Sequence, residues 1–373
     1  MIKLLGIGLL FLLLFLGQKL IYNKLWLKNL HVDIRFSQSH VLEGEQGELK
    51  EIIENRKRLP LTMLKVKFKT DRHLLFEDTG GSRTTDRFYR NDVFRVGSRE
   101  KVTRTLKFTG GRRGYYTIEE ASLVAADLFL SGQLVADVPL KTEIYVYPRP
   151  WLSGELLRSL NQLNGEVLAR RHLLEDPFEY KGIREYQPYD NMRSINWKAT
   201  AKTGDFKVNQ RGNTSLKSVS VYFNIQDNNI LKKEDCVEMS LRIAAGLCSF
   251  FLSQGIQTSC FGNGVDVLTK QHMAVPAKAG EGQFDAVCRA LARLDTEQNT
   301  ADFSSVFEQQ LLSGDKNLLT CFISPNQYED FVSLLERFAA SGRDFIWFYP
   351  VQGSREPEFP PSLAKYIRPV HFD

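Results

Sequence analysis

The sequence predicts an α+β multidomain protein: an N-terminal membrane helix, then an antiparallel β-sandwich, then a doubly wound α/β domain. Three observations predict it. Residues 4–17 form an uncharged apolar run, residues 30–148 alternate apolar and polar in strand-like segments, and from Ser218 onward strand-like and helix-like segments take turns to the C-terminus. The expected division is 1–29 for the anchor and its flank, 30–150 for the sandwich, 151–217 for a helix and connector, and 218–373 for the α/β domain. A chain of 373 residues holds two ordinary domains, and 43% apolar with 25% charged residues is a globular composition.

The apolar run, LLGIGLLFLLLFLG, is bounded by Lys3 and by Gln18 and Lys19. At about 1.5 Å per helical residue it covers only ~20 Å of a ~30 Å hydrocarbon core. If Lys19 snorkels, the span extends through Leu20, Ile21 and Tyr22. No small-x-small cleavage site follows, so an uncleaved anchor is preferred over a signal peptide. Lys19, Lys24 and Lys28 outnumber Lys3 and the amino terminus, which favours a single-pass anchor in the cell membrane with a cytoplasmic body.

Between 30 and 148 the strand-like segments are HVDIRFS, LTMLKVKFKT, VTRTLKFTG, YYTIEEASLVAADLF and EIYVYP, separated by turn residues. Gly110-Gly111-Arg112-Arg113-Gly114 lacks the Lys and Ser or Thr of a phosphate-binding loop, and no helix follows it. It reads as a hairpin turn with two solvated arginines. From Trp151, Leu156, Leu157, Leu160, Leu163, Val167 and Leu168 fall at helical spacing, ending at Arg170-Arg171-His172. Asp176-Pro177-Phe178 then breaks the helix.

The net charge of +5 is small for the length and its charges are interspersed, so no nucleic-acid partner is expected. The five Cys (236, 248, 260, 288, 321) are odd in number and never form a CxxC pair. Small buried apolar side chains in a reducing compartment account for them.

The stretch 182–202, GIREYQPYDNMRSINWKATAK, fits neither a helical stripe nor a strand alternation and reads as a structured connector. A carboxylate such as Asp190 accepts two guanidinium donors, so an Arg and Asp pair pins a loop, with Ile195 and Trp197 as an apolar floor. The same residues, Gly182, Arg184, Tyr186, Asp190, Arg193, Ile195 and Trp197, also make a candidate partner-binding surface. With Ala201, they resemble in order and spacing the signature of domain-of-unknown-function family 58. Tyr189 stands where that family usually has Gly, and Lys202 where it usually has Arg. The resemblance implies a membrane segment, a β domain, the signature, and a von Willebrand factor A-like domain. It also implies a cytoplasmic body and a MoxR-type AAA+ ATPase as partner. Members often carry two membrane segments, and only one is clear here.

The last third reads as strands at 218–225, 257–262, 318–324 and 344–351, with helices at 234–253, 282–294, 303–312 and 327–340. In von Willebrand A-like domains the first strand typically ends in Asp-x-Ser-x-Ser, which holds a divalent cation. Alignment of the strand end puts Asn224, Gln226 and Asn228 at those positions, with Asp227 between them. Amide oxygens lack the charge that offsets dehydration of a hard cation. A later strand end reads Ile323-Ser324-Pro325. No metal or other cofactor is therefore expected.

Catalytic patterns are missing: the chain has no GxSxG, HExxH, Walker A loop or GxGxxG after a strand. Phe261-Gly262-Asn263-Gly264 reads as a hairpin turn. The expectation is a membrane-anchored, non-enzymatic adaptor presenting a protein-binding surface. The alternatives are a hydrolase or ligand-binding enzyme with a site near Asn224, Asp227 and Ser324, and an envelope structural protein.

Overall fold

The structure, a computed structural model, describes residues 2–77, 83–84, 87–154, 156–161, 175–188, 190–213, 218–227, 233–296, 300–314, 318–354 and 357–372. The chain is a mixed α/β protein with an apolar N-terminal helix and several sheets. It divides into two compact units, Met1–Arg149 with Leu291–Arg293, and Pro150–Ala290 with Leu294–Asp373.

The first unit opens with α1 (Ile2–Leu25). The helix runs past the apolar run because nothing between Gly17 and Leu25 breaks it. Its exposed side chains include Ile7, Leu10 and Leu14. Its last turn does something the hydropathy did not foretell. Tyr22 and Trp26, just beyond α1, are buried in the β core, and the Tyr22 hydroxyl donates to the Pro60 carbonyl at 3.0 Å. Tyr22 thus belongs to the β core instead of extending the exposed apolar run.

Among the described residues ten strands follow: β1 (Leu30–Phe36), β2 (His40–Leu42), β3 (Gln46–Asn55), β4 (Leu61–Asp71), β5 (Leu74–Phe76), β6 (Arg83–Thr84), β7 (Arg87–Val96), β8 (Lys101–Gly110), β9 (Gly114–Ala126) and β10 (Gln133–Tyr147). They form a four-stranded sheet, β1-β3-β8-β5, and a six-stranded sheet, β2-β10-β9-β4-β7-β6. All pairings are antiparallel except β2 with β10. Alternating residues from both sheets, among them Leu49, Ile53, Leu64, Val66, Phe108 and Ile144, share one core. Strands β3 and β7 were not foreseen, because each carries charge on its inward face: Glu51 on β3, and Arg90 and Asp92 on β7 are buried.

The 110–114 turn is not a hairpin. Strand β8 belongs to one sheet and β9 to the other, so the turn crosses between them. Backbone bonds from Gly44 to Gly110 and from Gly111 to His73 hold it, and the Tyr116 hydroxyl donates to the Arg112 carbonyl. Arg113 is buried, not solvated.

In the second unit, residues 156–161 are helical, with Leu156 and Leu160 buried. Leu163, Val167, Leu168, Arg170, Arg171 and His172 lie outside the described residues. Next come β11 (Glu175–Glu185), α2 (Trp197–Thr203) and β12 (Lys207–Asn213), with β11 and β12 antiparallel. Asp176-Pro177-Phe178 lies within β11 instead of a break. The remaining elements are β13 (Ser218–Phe223), α3 (Glu234–Ser253), β14 (Gln257–Asp266), β15 (His272–Lys278), α4 (Glu281–Ala292), β16 (Leu294–Asp295), α5 (Phe303–Ser313), β17 (Leu319–Ile323), α6 (Glu329–Ala340), β18 (Phe345–Gln352) and β19 (Ile367–Phe372).

The sheet order is β15-β14-β13-β17-β18-β19, with β16 paired to β14. From β14 to β19 every neighbour is parallel, and β15 is an antiparallel edge. Both faces are covered. Tyr222, Phe322 and Trp347 pack with Phe303 and Phe307 of α5 and Phe331 and Phe338 of α6. On the other side the thiol of Cys248 on α3 meets that of Cys260 on β14. All five Cys are free and buried, and burial pushes the thiols of Cys288 and Cys321 up. Helix α3 is long and apolar enough to cross a membrane, but about two thirds of it is buried here, as the sheet's core helix.

Residues 261–264 lie inside β14 rather than in a turn. The glycines answer a packing demand: a Cβ on Gly262 would sit 2.0 Å from the Phe223 ring, and one on Gly264 2.7 Å from Ile225 Cδ1.

Candidate functional site

The signature stretch folds as a hairpin with a folded tip. Its arms pair Glu185 with Lys207, Arg184 with Val208 and Gly182 with Gln210. The register shifts between Tyr180 and Gly182, and such a bulge erases the period-2 pattern that would have betrayed a strand. At the tip, Arg184 Nη1 donates to Asp190 Oδ2 at 2.6 Å and Nη2 to Oδ1 at 2.5 Å. The Gln187 N–H donates to Asp190 Oδ2 at 2.7 Å. The Arg184 guanidinium, helped by that N–H, holds the Asp190 carboxyl below the usual carboxylate range.

Beyond Asp190, a 3₁₀ turn (Met192–Ser194) leads into α2. Asn196 caps α2 by accepting from the Ala199 N–H at 2.9 Å, and its Nδ2 donates to Asn209 Oδ1 at 2.7 Å. Gly204, with φ of 82°, ends the helix in the left-handed conformation. Ile195 is buried and bridges to Val208.

Trp197 departs from its expected place in the apolar floor. It is 62% exposed, with Met192 at 67% and Phe206 at 55%. Phe206 lies between Trp197 and Tyr186, with ring centroids 6.4 and 6.0 Å away. Arg193, Lys198, Ala201 and Lys202 are exposed around them. Tyr186 is half-buried. Tyr189 lies outside the described residues. The tip therefore joins a tied base to an open Trp197–Phe206 ring pair, with Met192 and several cations exposed on the same short stretch. Trp, Tyr, Met and Arg are the residue types enriched where proteins bind proteins.

The second constellation lies where β13, β14 and β17 end, at the point where strand order reverses. Asn224 Oδ1 accepts from the Gln226 N–H at 2.9 Å and from Asn263 Nδ2 at 2.8 Å. Asn263 Oδ1 accepts from the Ile225 N–H at 3.0 Å, and its Nδ2 also donates to the Ala301 carbonyl at 2.9 Å. Ser324 Oγ donates to the Asn326 carbonyl at 2.9 Å, and Asn326 Nδ2 donates to the Gln226 carbonyl at 2.5 Å. Gln226 Nε2 reaches Asp302 Oδ1 at 2.6 Å. Asn224, Gln226, Asn263, Ser324 and Asn326 are all buried.

These residues do not fit a divalent cation. The side-chain oxygens of Asn224 and Asn263 already accept from N–H donors, and amide NH₂ groups occupy positions where a cation needs anionic oxygen. Asp227 Oδ2 accepts from the Lys233 N–H at 2.6 Å, at the start of α3. Asn228 lies outside the described residues. Among the described residues, no three His, Cys, Asp or Glu come close enough to hold a metal ion.

Sequence reasoning passed over Asn263 and Asn326, which complete the network, and Met192 and Phe206, which complete the exposed face. A buried Asn between two glycines on a strand was the available signal for the first. For Phe206, an aromatic in a polar run just after a helix-ending Gly was the signal.

Solved structures with similar portions include a non-cellulosomal cohesin from Archaeoglobus fulgidus (12% identity, 35% of this chain and 96% of that one, TM-score 0.23). Others are a type II cohesin domain from Acetivibrio cellulolyticus (8%, 31% and 94%, TM-score 0.24) and the CARDB domain of a Pyrococcus furiosus protein (15%, 30% and 94%, TM-score 0.20). Likeness this distant assigns neither fold nor function. No curated protein matches the chain. Residues 182–361, beginning at the first glycine of the signature, match the sequence model of the family described as protein of unknown function DUF58, and this segment of the chain belongs to that family.

Proposed function

We propose that the protein is a membrane-anchored, non-enzymatic adaptor or assembly factor whose signature hairpin docks a partner protein. The observation that carries this reading is the exposure of Met192, Trp197 and Phe206 on one hairpin tip, whose base is fixed by Arg184 and Asp190. Exposing three large apolar side chains together on one small element works against solubility, and burial against a partner offsets that cost. Arg193 and Lys198 at the rim suit an acidic partner surface.

The rest of the reading follows the family resemblance. The partner is a MoxR-type AAA+ ATPase, the α/β unit is a von Willebrand A-like domain with a closed metal position, and α1 anchors a cytoplasmic body. The sheet order and the helices on both faces support the von Willebrand A-like reading. The amide network at the strand ends supports a scaffold over a hydrolase.

The test is affinity capture of the full-length chain from its own membranes, with and without ATP. Recovery of an AAA+ ATPase that drops with Trp197→Ala and Met192→Ser, in variants that keep their melting temperature, is the expected result. Equal recovery with both variants removes the hairpin as the contact, and recovery of envelope proteins alone favours the structural alternative.

A further inference from the structure

The turn between β9 and β10 carries an apolar tip at an unusual place. Leu128, Phe129 and Leu130 are consecutive and about half exposed or more. The turn is built to present them. Asp127, itself buried, accepts from the Ser131 N–H at 2.7 Å and from the Ser131 hydroxyl, and its carbonyl accepts from the Leu130 N–H at 3.0 Å. Leu130 takes a φ of 57°, a conformation a bulky side chain seldom adopts. Polar atoms are thus tied inward and three apolar side chains are turned outward.

The tip lies against α1. The Phe129 ring meets those of Phe11 and Phe15, with centroids 6.2 and 5.7 Å away, and Gln18 Nε2 donates to Asp127 Oδ2 at 3.4 Å. Phe11 and Phe15 belong to the uncharged run, and Phe11 is exposed. Lys19 marks the first charge beyond that run. Phe15 and Phe11 precede it by four and eight residues, which at about 1.5 Å per residue sets them ~6 and ~12 Å beyond it. Elements that rest in a bilayer interface bury their apolar face about 5–10 Å deep. Phe129 sits at that depth beside the helix.

We infer that Leu128, Phe129 and Leu130 insert into the lipid bilayer beside α1, giving the β unit a second point of membrane contact. The inference rests on the reading of α1 as a membrane anchor. The occupant is lipid because the tip is continuous with the apolar surface of α1 and presents no charged side chain to a protein partner. It also answers the shortness of the uncharged run: the sandwich seats itself at the interface where the run ends.

The test places an environment-sensitive thiol label on the full-length chain in phosphatidylcholine and phosphatidylglycerol vesicles. Its five native Cys are buried, so introduced cysteines take the label. Leu128→Cys and Phe129→Cys report the tip, Leu13→Cys reports the anchor, and Val93→Cys, exposed on β7, is the aqueous control. At both tip positions the expected result is blue-shifted emission, loss of emission with brominated acyl chains, and protection from aqueous iodide. Tip labels quenched by iodide, with Leu13 quenched by brominated lipid, overturn the inference and leave the anchor standing. Tip labels protected from both quenchers mean a protein covers the tip, which also overturns it. A Leu13 label untouched by brominated lipid removes the anchor reading and this inference together.

Discussion

Arg184 and Asp190 meet face to face, two nitrogens on two oxygens, across a six-residue separation that spans the tip of the signature hairpin. Asp190 is nearly buried while Arg184 stays 36% exposed, so the pair is partly screened by water. Its value lies in geometry: one planar fork fixes the direction in which the 3₁₀ turn and α2 leave the hairpin.

Arg184→Ala is expected to loosen the tip, modestly because the pair is partly exposed. Amide exchange at Gln187 and Asp190 should then speed up relative to the rest of the hairpin. Because the Asp190 carboxyl is held below its ordinary range, its contribution is present above the unfolded pKa and disappears as pH falls through the folded one. Acid should therefore open the wild-type tip and leave Asp190→Asn, already open, unchanged. Exchange that ignores both substitution and acid would count against the pair as the clamp.

Glu51 sits inward on β3 between Leu49 and Ile53, and neither carboxyl oxygen has a hydrogen-bond partner. From β7 it faces the ion pair of Arg90 with Asp92, and across the strand pair lies Arg104 of β8, while β1 offers Ile34. Burial first, then Asp92, pushes its pKa from 4.5 up to about 8. A carboxyl raised in this way stabilises the fold while protonated, fully below the unfolded value. That stability is lost as pH rises from the unfolded toward the folded pKa, on the order of 1 kcal/mol per pH unit. Urea unfolding of the β unit should show this slope, and Glu51→Gln should flatten it. An equally steep slope in the variant would assign the titration elsewhere.

Gly262→Ala drives a methyl into the Phe223 ring on the neighbouring strand, with the backbone of both fixed by the ladder. Overpacking of this kind costs about 1–3 kcal/mol. A fall in melting temperature of the α/β unit is expected, and Phe223→Leu in the same chain should restore part of it. No fall with the single change would mean the sheet gives way more easily than its register implies.

Magnesium, manganese and calcium ions are expected to leave the melting temperature unmoved. A ligand at a hundred times its dissociation constant adds about 2.7 kcal/mol to a fold that alone binds it, so even a modest site would register. A rise with any of the three would reopen the strand ends around Asn224 and Asp302 as a cation site.

Long periodic segments were legible from sequence, and interrupted ones were not. Helix α3 at Glu234–Ser253 coincides with its expected range because twenty residues of amphipathic spacing leave little choice. Strand β11 was hidden by its bulge, and β3 and β7 by buried charge, since a strand with Glu51 or Arg90 on its inner face reads as polar. The 261–264 stretch misled because glycine marks both turns and close packing, and only the position of Phe223 tells them apart. At the candidate site, an Arg and Asp pair follows from residue type, whereas the choice of Arg184 over the nearer Arg193 comes only from the hairpin register. The exposure of Trp197 does not, because nothing local says which side of a seven-residue helix faces the body.

Tyr22 and Trp26, buried in the sandwich core, couple the apolar helix to the β unit. A roll of the helix about its axis therefore has to move those two rings within the core. A version of the chain that begins at residue 30 would lose two aromatic rings from that core and leave the Pro60 carbonyl without its hydroxyl. Such a soluble fragment should be less stable and more prone to aggregate than one that begins at Gln18, even though both lack the uncharged run.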